Sequence, residues 1–297
     1  FTSILFPQDR NLDPTVTVYQ KNLDSGTLTQ IAHLPTGTPG YISNINVSSD
    51  GTTLFYQMEF KDGIYWDTGV YSQNIATGVS TLLTPPGVGG IYGGNSYTVS
   101  ADGHWLAYIG STPNRTGIGL DGSRTDIFLK NLWTGELKLV GHSDYWFSLT
   151  YGPSQPQLSA DGTKLLFVSE TPNLTKDDGT LGADYFVLDI ASNTITRLPT
   201  NATGYNIESF PAHFIGNTHD IAYLGYDTTV SGANRSDYLD LLIYNSDTGQ
   251  THTAFYDVVS GSDYSGQQFG LTFSADGSVA AISGLIGGLI PQTYFAH

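Results

Sequence analysis

The stretch "LSADGTKLLFVS", Leu158–Ser169, decides the fold because it does not occur once. Close relatives of the same phrase are "VSSDGTTLFYQ" (47–57), "VSADGHWLAYIG" (99–110) and "FSADGSVAAIS" (273–283). "HFIGNTHDIAYLG" (213–225) carries Asn217 in the aspartate slot. The turn residues Asp50, Asp102, Asp161, Asn217 and Asp276 therefore recur at intervals of 52 to 59 residues. A repeat of that length is one supersecondary unit that cannot bury both its faces alone.

Each unit reads alike. A short strand enters Asp-Gly, a pair whose left-handed tolerance predicts a tight hairpin turn, and an apolar strand such as "KLLFVS" leaves it. After a variable polar loop comes a third strand, "VYSQNIATG", "IFLKNLWTG", "YFVLDIASN" or "LLIYNSDTG", and then a short fourth. No segment keeps a helical period over three turns. Four-stranded meanders stacked face to face around an axis bury both sides of every sheet, so the sequence predicts an all-β, β-propeller fold. Six blades fit the spacing best, within a range of five to eight. Residues 1–297 are expected to form a single propeller domain that begins and ends inside a blade. "FTSILF" and "VTVYQKNLDSGTLTQIA" lack an innermost strand before them, and "PQTYFAH" offers a third strand at the other end.

The phrase "SADG" before an apolar strand, followed by "DIFLKNLWTGELKLV", resembles the TolB-type, WD40-like propeller repeats of bacterial extracytoplasmic proteins. The resemblance runs over almost the whole chain. Ala101, Ala160 and Ala275 stand where that family usually has proline, and its third-strand acid is kept at Asp126 and Asp184. What the resemblance implies is architecture and a secreted, periplasmic or cell-surface location. It is silent on activity, because one fold hosts many functions.

Composition narrows the partners. With 27 acids against 11 bases the 297-residue chain has a net charge of −16, which repels nucleic-acid phosphates and anionic lipid. There is no cysteine, so thiol chemistry is excluded. The longest apolar run, "VAAISGLIGGLI", is too short and too glycine-rich to span a bilayer as a helix. The chain starts at Phe1 rather than Met, as expected after loss of a leader.

Three groups of residues are candidates for a site. Tyr41, Tyr92, Tyr151, Tyr205 and Tyr264 recur just before each innermost strand, where a propeller places the rim of its channel. With Asn95, Gln155, Glu208 and His213 they form a prospective collar for protein or glycan, phenol faces stacking and amides bonding; the competing reading is that each Tyr seals a seam between blades. Asp177, Asp178 and Asp184, in "KDDGTLGADYF", supply closely spaced oxygens of the kind calcium takes, though without the EF-hand pattern, and solvated loop acids are the plainer reading. Asn114, Asn173, Asn201 and Asn234 open N-x-S/T sequons in loops that would accept glycans in a glycosylating host. No histidine pair has zinc spacing, and no G-x-S-x-G occurs. The expectation is a binding or assembly module without catalytic residues. A polysaccharide lyase or hydrolase at the channel mouth, and a subunit of a fibre, sheath or surface layer self-assembling through incomplete blades, are the alternatives.

Overall fold

The computed structural model describes residues 2–5, 17–22, 24–33, 40–62, 65–84, 97–111, 125–140, 154–169, 174–176, 183–199, 212–225, 238–260, 270–274, 276–278, 280–286 and 290–296. Twenty-two strands and no helix occur among them. They form six antiparallel sheets, each a meander in chain order.

The chain divides into two compact units, 1–138 and 139–297. The first sheet of unit 1 holds β1 (Thr2–Leu5), β2 (Thr17–Asn22) and β3 (Leu28–His33). The second holds β4 (Gly40–Val47), β5 (Thr53–Asp62), β6 (Tyr65–Asn74) and β7 (Ser80–Leu82). The third holds β8 (Tyr97–Val99), β9 (Trp105–Ser111), β10 (Thr125–Asn131) and β11 (Leu137–Val140), the last strand running two residues past the unit's boundary. In unit 2, β12 (Ser154–Leu158), β13 (Lys164–Ser169), β14 (Asp184–Asp189) and β15 (Thr194–Arg197) make one sheet. A further sheet comprises β16 (His213–Phe214), β17 (Asp220–Gly225), β18 (Tyr238–Asn245) and β19 (Gln250–Ser260). The last comprises β20 (Gly270–Phe273), β21 (Ala280–Ile286) and β22 (Ile290–Ala296). The first and last sheets each hold three strands among the described residues, and Ile290–Ala296 pairs antiparallel with β21.

The repeated turn is more elaborate than a two-residue Asp-Gly hairpin. Ser48 and Thr53 close a four-residue loop, with the Ser48 N–H donating to the Thr53 carbonyl at 2.9 Å. The Gly51 N–H turns back to the Ser48 carbonyl at 2.8 Å, and Gly51 itself sits at φ 72°. That leaves the Thr53 N–H without a backbone acceptor, and the Ser48 hydroxyl oxygen accepts it at 3.0 Å. The hydroxyl in turn donates to Asp50 at 2.6 Å, and Asp50 also accepts the Thr52 N–H at 3.0 Å. The serine of the phrase is thus as structural as Asp-Gly, since it satisfies the one donor the turn strands. Ser159, Asp161, Thr163 and Lys164 repeat the arrangement.

Between third and fourth strands a different device recurs. Asn131 Oδ1 accepts the N–H groups of Trp133 and Thr134 at 3.0 and 2.9 Å before Gly135 reverses the chain at φ 77°. This is an Asx turn, and Asn74, Asp189 and Asn245 build it at the equivalent places.

Within each unit, neighbouring sheets stack through faces of their middle strands. In unit 1, Leu54 and Tyr56 of β5 pack with Val18 and Ala32 of the preceding sheet, whereas Phe55 packs with Tyr97, Leu106, Tyr108 and Phe128 of the following one. In unit 2, Leu166, Val168, Tyr185 and Val187 meet Phe214, Ile221, Tyr223 and Leu241. Tyr185 stands edge-on to Tyr223 with ring centroids 5.9 Å apart, and both are wholly buried. Burying a side chain of this size stabilises by roughly 1.5–3 kcal/mol, so these seams contribute substantially to the fold.

A candidate ligand-binding cleft

A β-bulge interrupts the innermost strand of two sheets at the same place. The pairing of β4 with β5 shifts between Ser43 and Asn46, and that of β12 with β13 shifts between Ser154 and Gln157. The extra residue adopts a left-handed conformation in each, Asn44 at φ 49° and Gln155 at φ 51°. Such bulges re-aim the side chains beyond them. Here the re-aimed residues, Asn46 and Gln157, each lie four positions before the turn aspartate and reach the next sheet.

In unit 1 the contact is a structural tie. The buried Tyr97 hydroxyl donates to the Asn44 carbonyl and accepts from Asn46 Nδ2 at 3.3 Å. Burial pushes the Tyr97 phenol well above its ordinary range, so it stays a donor.

In unit 2 the equivalent row lines a cleft of about 290 Å3. Gln157 on β12, His213 on β16 and Thr272 on β20 come from three consecutive sheets, four residues before their respective turns. Phe214 and Phe273 supply apolar surface, and Gly216, Asn217 and Ser274 complete the lining. Gln157 Oε1 accepts the Phe214 N–H at 2.9 Å, and Gln157 Nε2 lies 3.4 Å from His213 Nδ1. Desolvation lowers the His213 pKa below 6.5, so the imidazole is neutral at pH 7. None of the eight lining residues then bears a formal charge.

A second cluster in unit 2 joins turns of neighbouring sheets. His219 Nδ1 is 2.6 Å from Asp247 and its Nε2 is 3.0 Å from Asp161. Lys164 Nζ bonds Asp189 at 2.8 Å and Asp247 at 3.3 Å. Burial pulls the His219 pKa down, but hydrogen bonds to Asp247 and Asp161 outweigh it and leave it above 6.5. Burial likewise opposes ionisation of Asp161, yet bonds from Ser159, Thr163 and His219 hold it at about 2. The arrangement stitches β12–β15 to β16–β19. Its sequence signal was the position two after the turn Asp or Asn, where Thr52 and Thr163 give way to His104 and His219.

Of the residues the sequence singles out, Gln155 and His213 lie here: Gln155 forms the bulge and His213 lines the cleft. Tyr41 lies on β4, where only its backbone is described. Tyr92, Tyr151, Tyr205, Tyr264, Asn95 and Glu208 lie outside the described residues, as do Asp177, Asp178 and the sequon residues Asn114, Asn173, Asn201 and Asn234. Asp184 sits on β14, buried, and accepts a hydrogen bond from Arg197 Nη2 at 2.8 Å. No group of three acidic, histidine or cysteine side chains arranged for a metal occurs among the described residues. No helix there is long and apolar enough to cross a membrane. Gln157, Thr272 and Tyr97 were missed because they are ordinary polar strand residues in sequence; the bulge that re-aims the first has no signature of its own.

No protein-family model and no curated protein matches the sequence. Solved structures do. TolB from Acinetobacter baumannii is 15% identical over 96% of this chain and 61% of its own, with a TM-score of 0.50. The tricorn protease is 10% identical over 100% of this chain and 29% of its own, with a TM-score of 0.57. A Mycobacterium tuberculosis puromycin-hydrolyzing peptidase is 15% identical over 99% of this chain and 43% of its own, with a TM-score of 0.59. The chain thus spans less than two thirds of each of these proteins, and at such identities the likeness concerns the fold alone. The all-β chain of three- and four-stranded antiparallel meanders shares the β-propeller fold of TolB and of the tricorn protease.

Proposed function

We propose that the chain is a non-catalytic binding module that takes an extended peptide segment of a protein partner. The observation that carries this reading is the cleft across β12, β16 and β20, lined by two amides, a neutral imidazole, hydroxyls and two phenyl rings. Neutral donors and acceptors beside apolar surface suit a peptide backbone with small apolar side chains. The net charge of −16 works at longer range, favouring basic partners and disfavouring acidic ones. A location outside the cytoplasm, in the periplasm, at the cell surface or secreted, agrees with the resemblance of the repeats to extracytoplasmic propeller proteins.

The test is selection of a displayed peptide library on the purified chain beside a glycan array. Enriched peptides whose affinity falls about tenfold in His213→Ala, the weight of one well-placed hydrogen bond, support the proposal. Binding confined to glycans, or peptides indifferent to His213→Ala, overturns it.

A further inference from the structure

Two hydrogen bonds fix the protonation of His213 atom by atom. A backbone N–H can only donate, so the oxygen of the Gln157 amide, not its nitrogen, must face Phe214 at 2.9 Å. The amide nitrogen is thereby turned toward His213 Nδ1, 3.4 Å away, and an NH2 group can only donate. Nδ1 must be the lone-pair nitrogen, which puts the ring proton on Nε2. His213 Nε2 has no partner among the described residues, and the ring lines the cleft.

We propose that Gln157 locks His213 in its Nε2–H form and that this N–H is the specificity-determining donor to a neutral carbonyl oxygen of the bound peptide. This rests on the binding reading above and names the chemistry of that same cleft. Thr272 and Asn217, which have no side-chain partner among the described residues, supply adjustable donors and acceptors on either side. A cationic group would meet the N–H head on and find no acceptor in the imidazole. A carboxylate would accept the bond but approach against a net charge of −16. A backbone amide carbonyl meets neither obstacle. Gln157 is a positioning residue in this scheme, acting through the histidine.

The tautomer is read in the ligand-free protein by long-range proton–nitrogen correlation spectra of 15N-histidine-labelled chain at pH 7.5. An unprotonated Nδ1 and a protonated Nε2 at His213 are expected; a protonated Nδ1 overturns the lock. Gln157→Glu offers only acceptor oxygens, so Nδ1 should become protonated in that variant, and an unchanged tautomer would show that Gln157 does not set it. Ligand chemistry is read by titrating N-acetylglycine N-methylamide, acetate and ethylammonium into the parent chain. The blocked amide should shift the His213 Nε2–H resonance at least tenfold lower in concentration than acetate, and ethylammonium should not shift it. Equal or stronger response to either ion overturns the carbonyl assignment. The tautomer measurement needs no ligand, so failure to find a peptide partner would leave its outcome distinct.

Discussion

His219→Gln should weaken the protein in mild acid and much less in base. His219 bridges two carboxylates on turns of neighbouring sheets, Asp247 at 2.6 Å and Asp161 at 3.0 Å. Those carboxylates are about half exposed, 52% and 48%, so each pair counts as a screened surface interaction of ~0.2–1 kcal/mol. Together they are worth about 1 kcal/mol, or ~2 °C in melting temperature for a chain of this size. Because the folded pKa of His219 is raised above 6.5, its contribution is complete below pH 6.5 and fades as pH rises through the folded value. Asp161, held at about 2, contributes above its unfolded value of 3.8 and is lost only as pH falls through 2. Asp189 and Asp247, lowered in the same direction, and Lys164, raised, keep their charges between those limits. Melting curves of parent and variant from pH 5.5 to 9 should therefore lie ~2 °C apart at the acid end and converge at the basic end. Gln keeps one donor but cannot carry the charge, which isolates the titrating part. A gap that is constant with pH, or one that widens toward pH 9, would refute the bridge.

Other seams and turns give sharper stability effects. Tyr185→Ala empties a wholly buried site between two sheets and should cost ~3–5 kcal/mol in urea unfolding; a loss under 1 kcal/mol would mean those sheets do not stack there. Tyr97→Phe removes a hydroxyl that ties β8 to β4 and should cost about 1 kcal/mol in the same assay, with no loss if the tie is absent in solution. Gly277→Ala and Gly249→Ala both force a side chain at positive φ, 73° and 72°, for about 1 kcal/mol each. A Cβ at Gly277 would also sit 2.9 Å from Ile215 Cγ2, whereas Gly249 faces open space, so the former should melt lower. Equal melting temperatures would remove that contact from the account.

The repeat was legible because turns speak through few residues. Asp-Gly at near-constant spacing placed the hairpins, and contiguous apolar runs such as "IFL" and "KLLFVS" placed strands buried on both faces. The serine's part in that turn was not legible, since its role depends on a backbone N–H left over by a loop geometry that sequence does not state. The site was read only in part. His213 was singled out as a channel-side neighbour of the recurring tyrosines, and the structure puts it in the cleft. Gln157, its hydrogen-bonding partner, and Thr272, which lines the same cleft, were not, because they come from separate sheets more than 50 residues away in sequence. Asp184 reads in sequence both as a third-strand acid and as a candidate calcium ligand with Asp177 and Asp178; the structure bears out the strand reading, with pairing to Ser169 carrying it inward to Arg197. Chemistry that depends on which sheet lies next to which is written in tertiary contacts, not in spacing.

The most direct test of the cleft is site-specific photocrosslinking. Benzoylphenylalanine replaces Phe273 in the lining, and in a second variant replaces Val79, an exposed turn residue of unit 1. With a peptide selected on the parent chain, irradiation of the 273 variant should yield a crosslinked adduct that excess unlabelled peptide suppresses, and the 79 variant should yield none. Adducts at 79 equal to those at 273, or none at 273 while the peptide still binds, would contradict the assignment of the inner-strand cleft as the binding site.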